Sequence, residues 1–467
     1  MNAFFSKIYS GLDKFFHLKE RNASISKELL GGLTTFLAMF YILPVNGFML
    51  GGIPGATPGA IFAATAIAAG LTTILMGLFA NFPVALAPGM GINAMITYTV
   101  CGALGYSYPE ALALTFISGV IFIIISVTPL RKWILNAIPK NLKLAIGAGI
   151  GFFITFIGLK NAGIVISDPA TFVALGDFTK LPVIMAIIGI ILVLVLANIK
   201  NKWIKTFAVI ISLFTIGITC GIMGECGVPN MPKFMSSNVG EVKDISLVFG
   251  KCFTEGFNVF TKPEAYAVLF SLLLIDFFDT AGTLVAVGSE AGIIDENGNI
   301  KNGQRALLVD AIGTVGGSIL GTSTVTSFVE STTGISVGAK TGMSSVLVGL
   351  LFILSLGIYP ILGMFSSVTI DGIAYSPVTS LALVYVGTLM FTQLKNFEWD
   401  DKVAAISGFF TIIMMVLAYS ISDGIAFGFI TYVVCSLASG KAKKVHPIMY
   451  VVSILFIALY IVKAIVF

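Results

Sequence analysis

The chain has 467 residues, of which 57% are hydrophobic and 11% are charged. Soluble domains carry about 25% charged residues, so most of this chain cannot face water. At about 20 residues per crossing, the length allows a dozen or more membrane-spanning helices. The formal net charge of +4 is small and comes from lysines between apolar segments, so it does not indicate nucleic-acid binding.

The first 26 residues precede the first long apolar segment and mix basic with apolar side chains. Their apolar positions recur at intervals of three and four, which predicts a cytoplasmic amphipathic helix lying on the membrane surface rather than a cleavable signal. An unstructured tail is the alternative interpretation.

Long apolar segments follow one another through the rest of the chain. They are predicted at 27–49, 58–80, 88–101, 107–129, 142–160, 182–199, 204–222, 264–287, 305–320, 331–342, 343–363, 378–394, 402–420, 422–438 and 447–466. Two of them, 88–101 and 331–342, are too short to span as ordinary helices. The last, 447–466, has no counterpart in the first half and is either an extra crossing or a helix lying on the membrane.

Basic residues orient these segments, because lysine and arginine are enriched in cytoplasmic loops. Four loops carry them: Arg131, Lys132, Lys140 and Lys143 in one, Lys200, Lys202 and Lys205 in another, Lys301 and Arg305 in a third, and Lys441, Lys443 and Lys444 in a fourth. This pattern predicts a multi-pass protein of the cell membrane with a cytoplasmic N-terminus. The hydrophilic stretch 223–263 then becomes an extracellular linker between two halves.

The two halves show matching patterns. Gly70 and Gly91 are 21 residues apart, as are Gly313 and Gly334, and each pair brackets an apolar helix, a short extended run and a helix restart. Seven segments per half is an odd number, so the second half must enter the membrane from the opposite side. The prediction is an all-α polytopic protein with a 7+7 inverted repeat of about 14 segments, a plan found in secondary transporters.

The restart in the second half begins at Glu330, where backbone outside a helix must be buried or line a cavity. Glu330 at the start of a half-helix can stay ionised and accept hydrogen bonds from a ligand N–H, although simple helix capping is the alternative. Pro88 is predicted to begin the matching half-helix, and Asn93 offers a donor and an acceptor or ties the half-helices together. Phe328, two residues before Glu330, is expected to stack on a planar ligand or to pack in the core.

Asp276 and Asp279 lie three residues apart and so on one face of an apolar helix. An acid in the middle of a membrane helix indicates a functional site, although either aspartate alone is also compatible with bonding a neighbouring helix. Asp276, Asp279 and Glu330 around one cavity, with no basic residue at that depth, can take up and release a proton. The two histidines, His17 and His446, lie in the flanks. Asp310 is expected to bond a neighbouring segment.

Three stretches, Ala87–Ala94, Ile275–Thr283 and Thr322–Ser331, resemble nucleobase–cation symporters of the nucleobase/ascorbate superfamily, specifically AzgA-like purine permeases. The resemblance covers the chain from about Leu29 to Lys444. It implies a core domain (27–129 and 264–365), a gate domain (130–222 and 366–438), a homodimer and elevator-like movement. A basic loop and an extra apolar helix occupy 439–467.

The resemblance places substrate-binding residues at Asn93, Asp276 and Glu330, with Asp279 beside them in proton coupling. This chain departs from the family at Phe328, a position where family members often have tyrosine. The expected activity is proton-coupled import of adenine, guanine or hypoxanthine, without cofactor or metal. An anion carrier, or a pyrimidine or ascorbate carrier of the same fold, stays open as an alternative, and a membrane enzyme is disfavoured because no nucleotide loop or positioned nucleophile is present.

Overall fold

A computed structural model describes residues 3–128, 138–234, 242–292 and 302–466. Arg131, Lys132 and Lys301, which helped to orient the chain above, lie outside the described residues.

Helices dominate the described chain and follow the predicted apolar segments closely. They are α1 Ala3–Phe16, α2 Ile25–Met39, α3 Ile42–Leu50, α4 Pro58–Leu75, α5 Met90–Ala94, α6 Tyr108–Val127, α7 Lys140–Asn161, α8 Leu181–Asn198, α9 Lys202–Thr206, α10 Ala208–Glu225, α11 Lys251–Thr254, α12 Glu264–Glu290, α13 Gly303–Leu320, α14 Ser331–Val337, α15 Gly342–Leu354, α16 Thr379–Phe391, α17 Lys402–Leu417, α18 Ile421–Ala438 and α19 Pro447–Val466. Several continue in π or 3₁₀ turns: Met76–Ala80 after α4, Met95–Ala103 after α5, Ser355–Phe365 after α15 and Thr392–Asn396 after α16.

Eight helical runs in the described part are long and apolar enough to cross a membrane. The chain is therefore a helical, multi-pass membrane protein, as its composition predicts. The N-terminal helix is present as α1. The two segments predicted to be too short to span are the interrupted ones, which begin at α5 and α14.

Among the described residues, six short strands form three antiparallel pairs. They are β1 Leu86–Pro88, β2 Val165–Asp168, β3 Phe172–Leu175, β4 Val325–Ser327, β5 Val368–Ile370 and β6 Ile373–Tyr375. β1 pairs with β4, so the extended runs of the two halves meet. β2 with β3 and β5 with β6 form hairpins that the sequence did not predict, because three or four residues are too few to show alternation.

The expected half-helix start at Pro88 is wrong by two residues. Pro88 is the last residue of β1, opposite Val325, and the helix begins at Met90. Proline has no N–H to give to a ladder and is therefore tolerated at the end of a strand in a two-stranded pair.

The first apolar segment, predicted as one helix, is one helical run of 26 residues, Ile25–Leu50. Its hydrogen-bond pattern changes between α2 and α3 at Phe40–Tyr41, although both residues keep helical backbone angles. Pro44 has no N–H for the carbonyl of Phe40 four residues earlier, and its ring crowds that carbonyl. The Phe40 carbonyl accepts instead from Leu43 N at 3.1 Å, so the turn that contains Tyr41 is tighter than the rest of the run.

Helices from the first part of the chain pack on helices from the second. α4 packs on α15, and α13 packs on α6. At the α4–α15 crossing, Gly70 and Gly349 bring the backbones into contact, since a Cβ on Gly349 would lie 2.5 Å from the Gly70 carbonyl oxygen. α7 packs along α16 and α17, and α8 contacts both α10 and α16.

The segment after α1 is fastened to the turn between α14 and α15. Glu28 is fully buried and accepts from the backbone N–H groups of Lys340 at 2.7 Å, Thr341 at 3.1 Å and Ser344 at 3.2 Å. Arg21 donates to the carbonyl oxygen of Lys340 at 3.1 Å. Burial lowers the pKa of the Arg21 guanidinium, while the neighbouring Glu28 acts in the opposite direction.

Candidate functional site

The site is built where the two extended runs meet, and side chains supply the hydrogen bonds that this irregular backbone needs. Ala85 N donates to the Ser331 hydroxyl at 3.0 Å, which joins the first run to α14. Leu86 N donates to Thr73 Oγ1 at 2.9 Å. In hydrocarbon, backbone outside helices persists only when it is satisfied in this way.

Asp310 supports the second run, as the sequence predicted. Its Oδ1 accepts from both the N–H and the hydroxyl of Ser327, each at 2.7 Å, and its Oδ2 accepts from Thr280 at 2.6 Å. The residue is fully buried. The carboxylate therefore fixes the end of β4 to α13, just before the chain reaches Glu330.

Asn93 links the two interrupted segments. Its side chain is fully buried, its Oδ1 accepts from the Ser323 hydroxyl, and its Nδ2 lies 3.5 Å from the Pro88 carbonyl oxygen. Of the two roles that the sequence left open for Asn93, this geometry matches tying the segments together.

Glu330 stands at the start of α14 with helical backbone angles, φ −57° and ψ −18°. Its Oε1 accepts a hydrogen bond from the Tyr41 hydroxyl at 2.8 Å. Its carbonyl oxygen accepts from the N–H of Thr333 at 2.9 Å and from the Thr333 hydroxyl at 2.6 Å. Tyr41 thus holds the carboxylate of Glu330, and Thr333 holds its backbone.

A cavity of about 360 Å³ opens beside Glu330. One side is formed by α2, Tyr41 and α14, and the other by α9, α10 and α16. Its polar wall consists of Glu330, Tyr41 and Thr333 on the first side, and Lys205, Thr206 and Tyr385 on the second. The volume falls within the range of about 300–1,000 Å³ that is typical for small-molecule sites.

The other acids lie behind the cavity. Asp276 is fully buried and accepts from Thr314 at 2.7 Å, while its Oδ1 has no hydrogen-bond partner among the described residues. Asp279 is partly exposed and interacts electrostatically with Glu330. Asp276 interacts in the same way with Asp310 and Asp279. A chain of carboxyl groups therefore runs from α13 through α12 to the cavity.

Phe328 does not share a strand face with Glu330, contrary to the sequence argument. β4 ends at Ser327 and Glu330 has helical angles, so the alternation of an extended strand does not reach it. Phe328 is 7% exposed and belongs to the hydrophobic core. Its N–H donates to the Ala85 carbonyl oxygen at 3.0 Å.

Sequence reasoning missed the two tyrosines and recognised Lys205 only as a loop residue. One signal was available for Tyr41, because a polar aromatic three residues before Pro44 lies in the turn whose hydrogen bonds the proline changes. Tyr385 gave no signal, since it is one of 13 tyrosines and lies in an ordinary apolar helix. Lys205 reaches the cavity because α9 folds back between α8 and α10.

A multi-pass helical protein with interrupted helices at a buried polar cavity has the architecture of a membrane transporter. Comparison with known sequences identifies the group: a sequence model of the permease family matches residues 26–427. The chain belongs to this permease family and is not an enzyme.

The curated relatives match over nearly their whole length. The guanine/hypoxanthine permease PbuG of Bacillus subtilis is 41% identical, over 96% of this chain and 99% of the relative. The adenine permease AdeP of Escherichia coli is 36% identical, over 96% and 95%. The putative permease MJ0326 of Methanocaldococcus jannaschii is 38% identical, over 95% and 97%.

Solved structures with the same fold are much more distant in sequence. The transmembrane domain of the cyanobacterial bicarbonate transporter BicA superposes with a TM-score of 0.59 at 14% identity, covering 86% of this chain and 96% of that chain. SLC26A9 gives a TM-score of 0.55 at 12% identity, covering 93% and 70%. At these identities the likeness establishes the fold alone.

Proposed function

We propose that this permease imports purine nucleobases (adenine, guanine or hypoxanthine) in symport with protons. The observation that carries the proposal is the carboxylate of Glu330, which begins a half-helix and lines a cavity of about 360 Å³. A purine presents N–H edges to such an acceptor and an aromatic face to Tyr41 or Tyr385. The names of the relatives, which are guanine/hypoxanthine and adenine permeases, support the same substrate class.

In this proposal Asn93, Asp276, Glu330 and Phe328 form the substrate region, and Asp276, Asp279 and Glu330 carry the coupled proton. Only Glu330 of these lines the described cavity, so Asn93 and Phe328 act by shaping the backbone around it. The proposal requires Asp279 to exchange the proton with Glu330, with which it interacts electrostatically.

Packing supports an inverted repeat of 7+7 segments. If α4 corresponds to α13 and α6 to α15, the packing of α4 on α15 and the packing of α13 on α6 are equivalent contacts between the two repeats. The antiparallel pairing of β1 with β4 also joins equivalent elements, one from each repeat. About 14 segments then form a core (27–129 and 264–365) and a gate (130–222 and 366–438), with the cavity between them.

We propose that the core slides past the gate as an elevator, in a homodimer in the cell membrane with a cytoplasmic N-terminus. The basic loops set this orientation. Lys205 is in one of them, so the cavity faces the cytoplasm. Under the same orientation the structure corresponds to an inward-facing state.

The first test is uptake of radiolabelled hypoxanthine by cells that lack their own purine permeases, with adenine, guanine, uracil, ascorbate and bicarbonate as competitors. Competition by purines alone, together with loss of uptake after a protonophore, supports the proposal. Competition by bicarbonate would favour the anion alternative, for which Lys205 is the supporting observation. Glu330 opposes that alternative because it occupies the half-helix start that an anion would need.

Proton coupling is tested with Asp276→Asn, which keeps the shape of the side chain and removes its titration. We expect purine binding to persist while uptake no longer responds to a pH gradient, because a fixed neutral group cannot carry the proton. Exposed Asp400→Asn is the control. Uptake that still follows the pH gradient in Asp276→Asn would assign the coupled proton elsewhere.

A further inference from the structure

Tyr41, in the first long helical run, has its hydroxyl on the carboxylate of Glu330. Tyr41 is 2% exposed, and its hydroxyl donates to Glu330 Oε1 at 2.8 Å across 289 residues of sequence. It lies in the tight turn before Pro44, where Leu43 N donates to the Phe40 carbonyl oxygen. The first helical run therefore supplies a hydrogen-bond donor to Glu330.

We propose that Tyr41 is a positioning residue for Glu330. A carboxylate rotates freely about its terminal torsion unless a hydrogen bond selects one orientation. With Oε1 held by Tyr41, Oε2 is left to meet an N–H of the ligand, and the ligand class is a planar nitrogen heterocycle with at least one N–H on its edge. This inference rests on the proposed function.

A further contact agrees with a fixed Glu330. On the backbone side, the Thr333 hydroxyl donates to the Glu330 carbonyl oxygen at 2.6 Å, so the residue is held at both ends. Tyr385 on α16 also lines the cavity. In the proposed elevator Tyr41 and Glu330 both belong to the core and Tyr385 to the gate, so the Tyr41 contact can persist while core and gate move relative to each other.

The test compares Tyr41→Phe with Tyr106→Phe. Both changes remove one hydroxyl and keep the ring, and the buried hydroxyl of Tyr106 has no hydrogen-bond partner among the described residues. For Tyr41→Phe we expect KM for hypoxanthine to rise about ten-fold, the loss of a hydrogen bond to a charged group, with little change in the maximal rate. Tyr106→Phe should behave as the unsubstituted protein.

A second readout does not depend on transport. Infrared spectra of the purified protein identify the carboxyl band of Glu330, because this band is present in the unsubstituted protein and absent from Glu330→Gln. Tyr41→Phe should shift that band and Tyr106→Phe should leave it in place. An unmoved band, or an unchanged KM in a protein that transports hypoxanthine, overturns the role of Tyr41. Failure of the unsubstituted protein to transport any purine, with the band shifted, would instead overturn the proposed function alone.

Discussion

Glu28 shows what a buried carboxylate does in this chain when it faces backbone and not a cavity. It accepts from the backbone N–H groups of Lys340 and Thr341, which precede α15, and of Ser344 in its first turn, where a helix start leaves amides without partners. The negative charge also lies favourably at the N-terminus of α15. Glu28 therefore secures the turn that follows the half-helix of Glu330.

Removing this carboxylate should destabilise the fold. Glu28→Ala leaves three buried amides unsatisfied, and we expect a loss of about 3 kcal/mol in the free energy of unfolding. Glu28→Gln keeps an acceptor oxygen and should lose about 1 kcal/mol. Thermal unfolding in detergent measures both, with exposed Glu398→Ala as the control, for which a surface ion pair predicts a change below about 1 kcal/mol. Equal melting temperatures for the Glu28 and Glu398 variants would contradict this role.

At the same scale, the sequence indicated candidate acids and not what each of them contacts. Asp276, Asp279 and Glu330 were visible because charge is costly in apolar segments. The side that each acid faces depends on which helices surround it, and that is a tertiary property. In the sequence, Asp310 and Glu330 look alike, because each is an acid in an apolar segment. In the structure, Asp310 accepts a hydrogen bond from β4, whereas Glu330 lines the cavity. Tyr41 was missed because a tyrosine in an apolar segment costs much less free energy than a charged side chain and so does not stand out.

Elements were predicted well where length and hydropathy define them. The apolar run predicted at 182–199 is the helix Leu181–Asn198, and the one at 422–438 is Ile421–Ala438. Predictions failed where local backbone chemistry decides. The changed hydrogen-bond pattern before Pro44 and the late start of α5 after Pro88 both involve a proline whose effect hydropathy alone does not show.

The α4–α15 crossing depends on glycine, and this gives a prediction at the scale of elements. A Cβ on Gly349 would lie 2.5 Å from the Gly70 carbonyl oxygen and 2.6 Å from Ile74. Gly349→Ala must separate the helices, so we expect a loss of about 1–3 kcal/mol in unfolding free energy. Gly316 on α13 has nothing within 4 Å of such a Cβ. Gly316→Ala should therefore stabilise the protein by about 0.5–1 kcal/mol.

Melting temperatures of the two variants in detergent check this pair, since the same chemical change should move them in opposite directions. A stabilising Gly349→Ala would show that α4 and α15 separate at no cost. The close approach would then not be what holds this crossing of the proposed core together.

For the whole molecule, the proposed elevator needs contacts that close the face opposite the cavity. The outer cluster, defined as Tyr98, Thr99, Asn161 and Tyr419, supplies them. Asn161 Nδ2 donates to the Tyr98 hydroxyl at 3.0 Å, the Thr99 hydroxyl donates to the Tyr419 carbonyl oxygen at 3.3 Å, and the rings of Tyr98 and Tyr419 pack edge to face at 5.9 Å. α8 is long and apolar enough to cross a membrane and lies between Asn161 and Lys205 in the sequence, so the proposed orientation puts the outer cluster and the cavity mouth on opposite sides.

Because the outer cluster joins the α5 segment of the proposed core to the gate, weakening it should favour the outward-facing state. Asn161→Ala removes one hydrogen bond, worth about 1 kcal/mol, which is a several-fold shift in a two-state equilibrium. The measurement uses a single cysteine in place of the cavity residue Thr333, in a background lacking the five native cysteines. The side from which this cysteine can be labelled shows whether the cavity faces inward or outward. A membrane-impermeant thiol reagent should label it from the cytoplasmic side in the parent, and Asn161→Ala should raise labelling from outside. Exposed Asn198→Ala is the matched control. Labelling from outside that stays the same in Asn161→Ala and Asn198→Ala would mean that other contacts close this face.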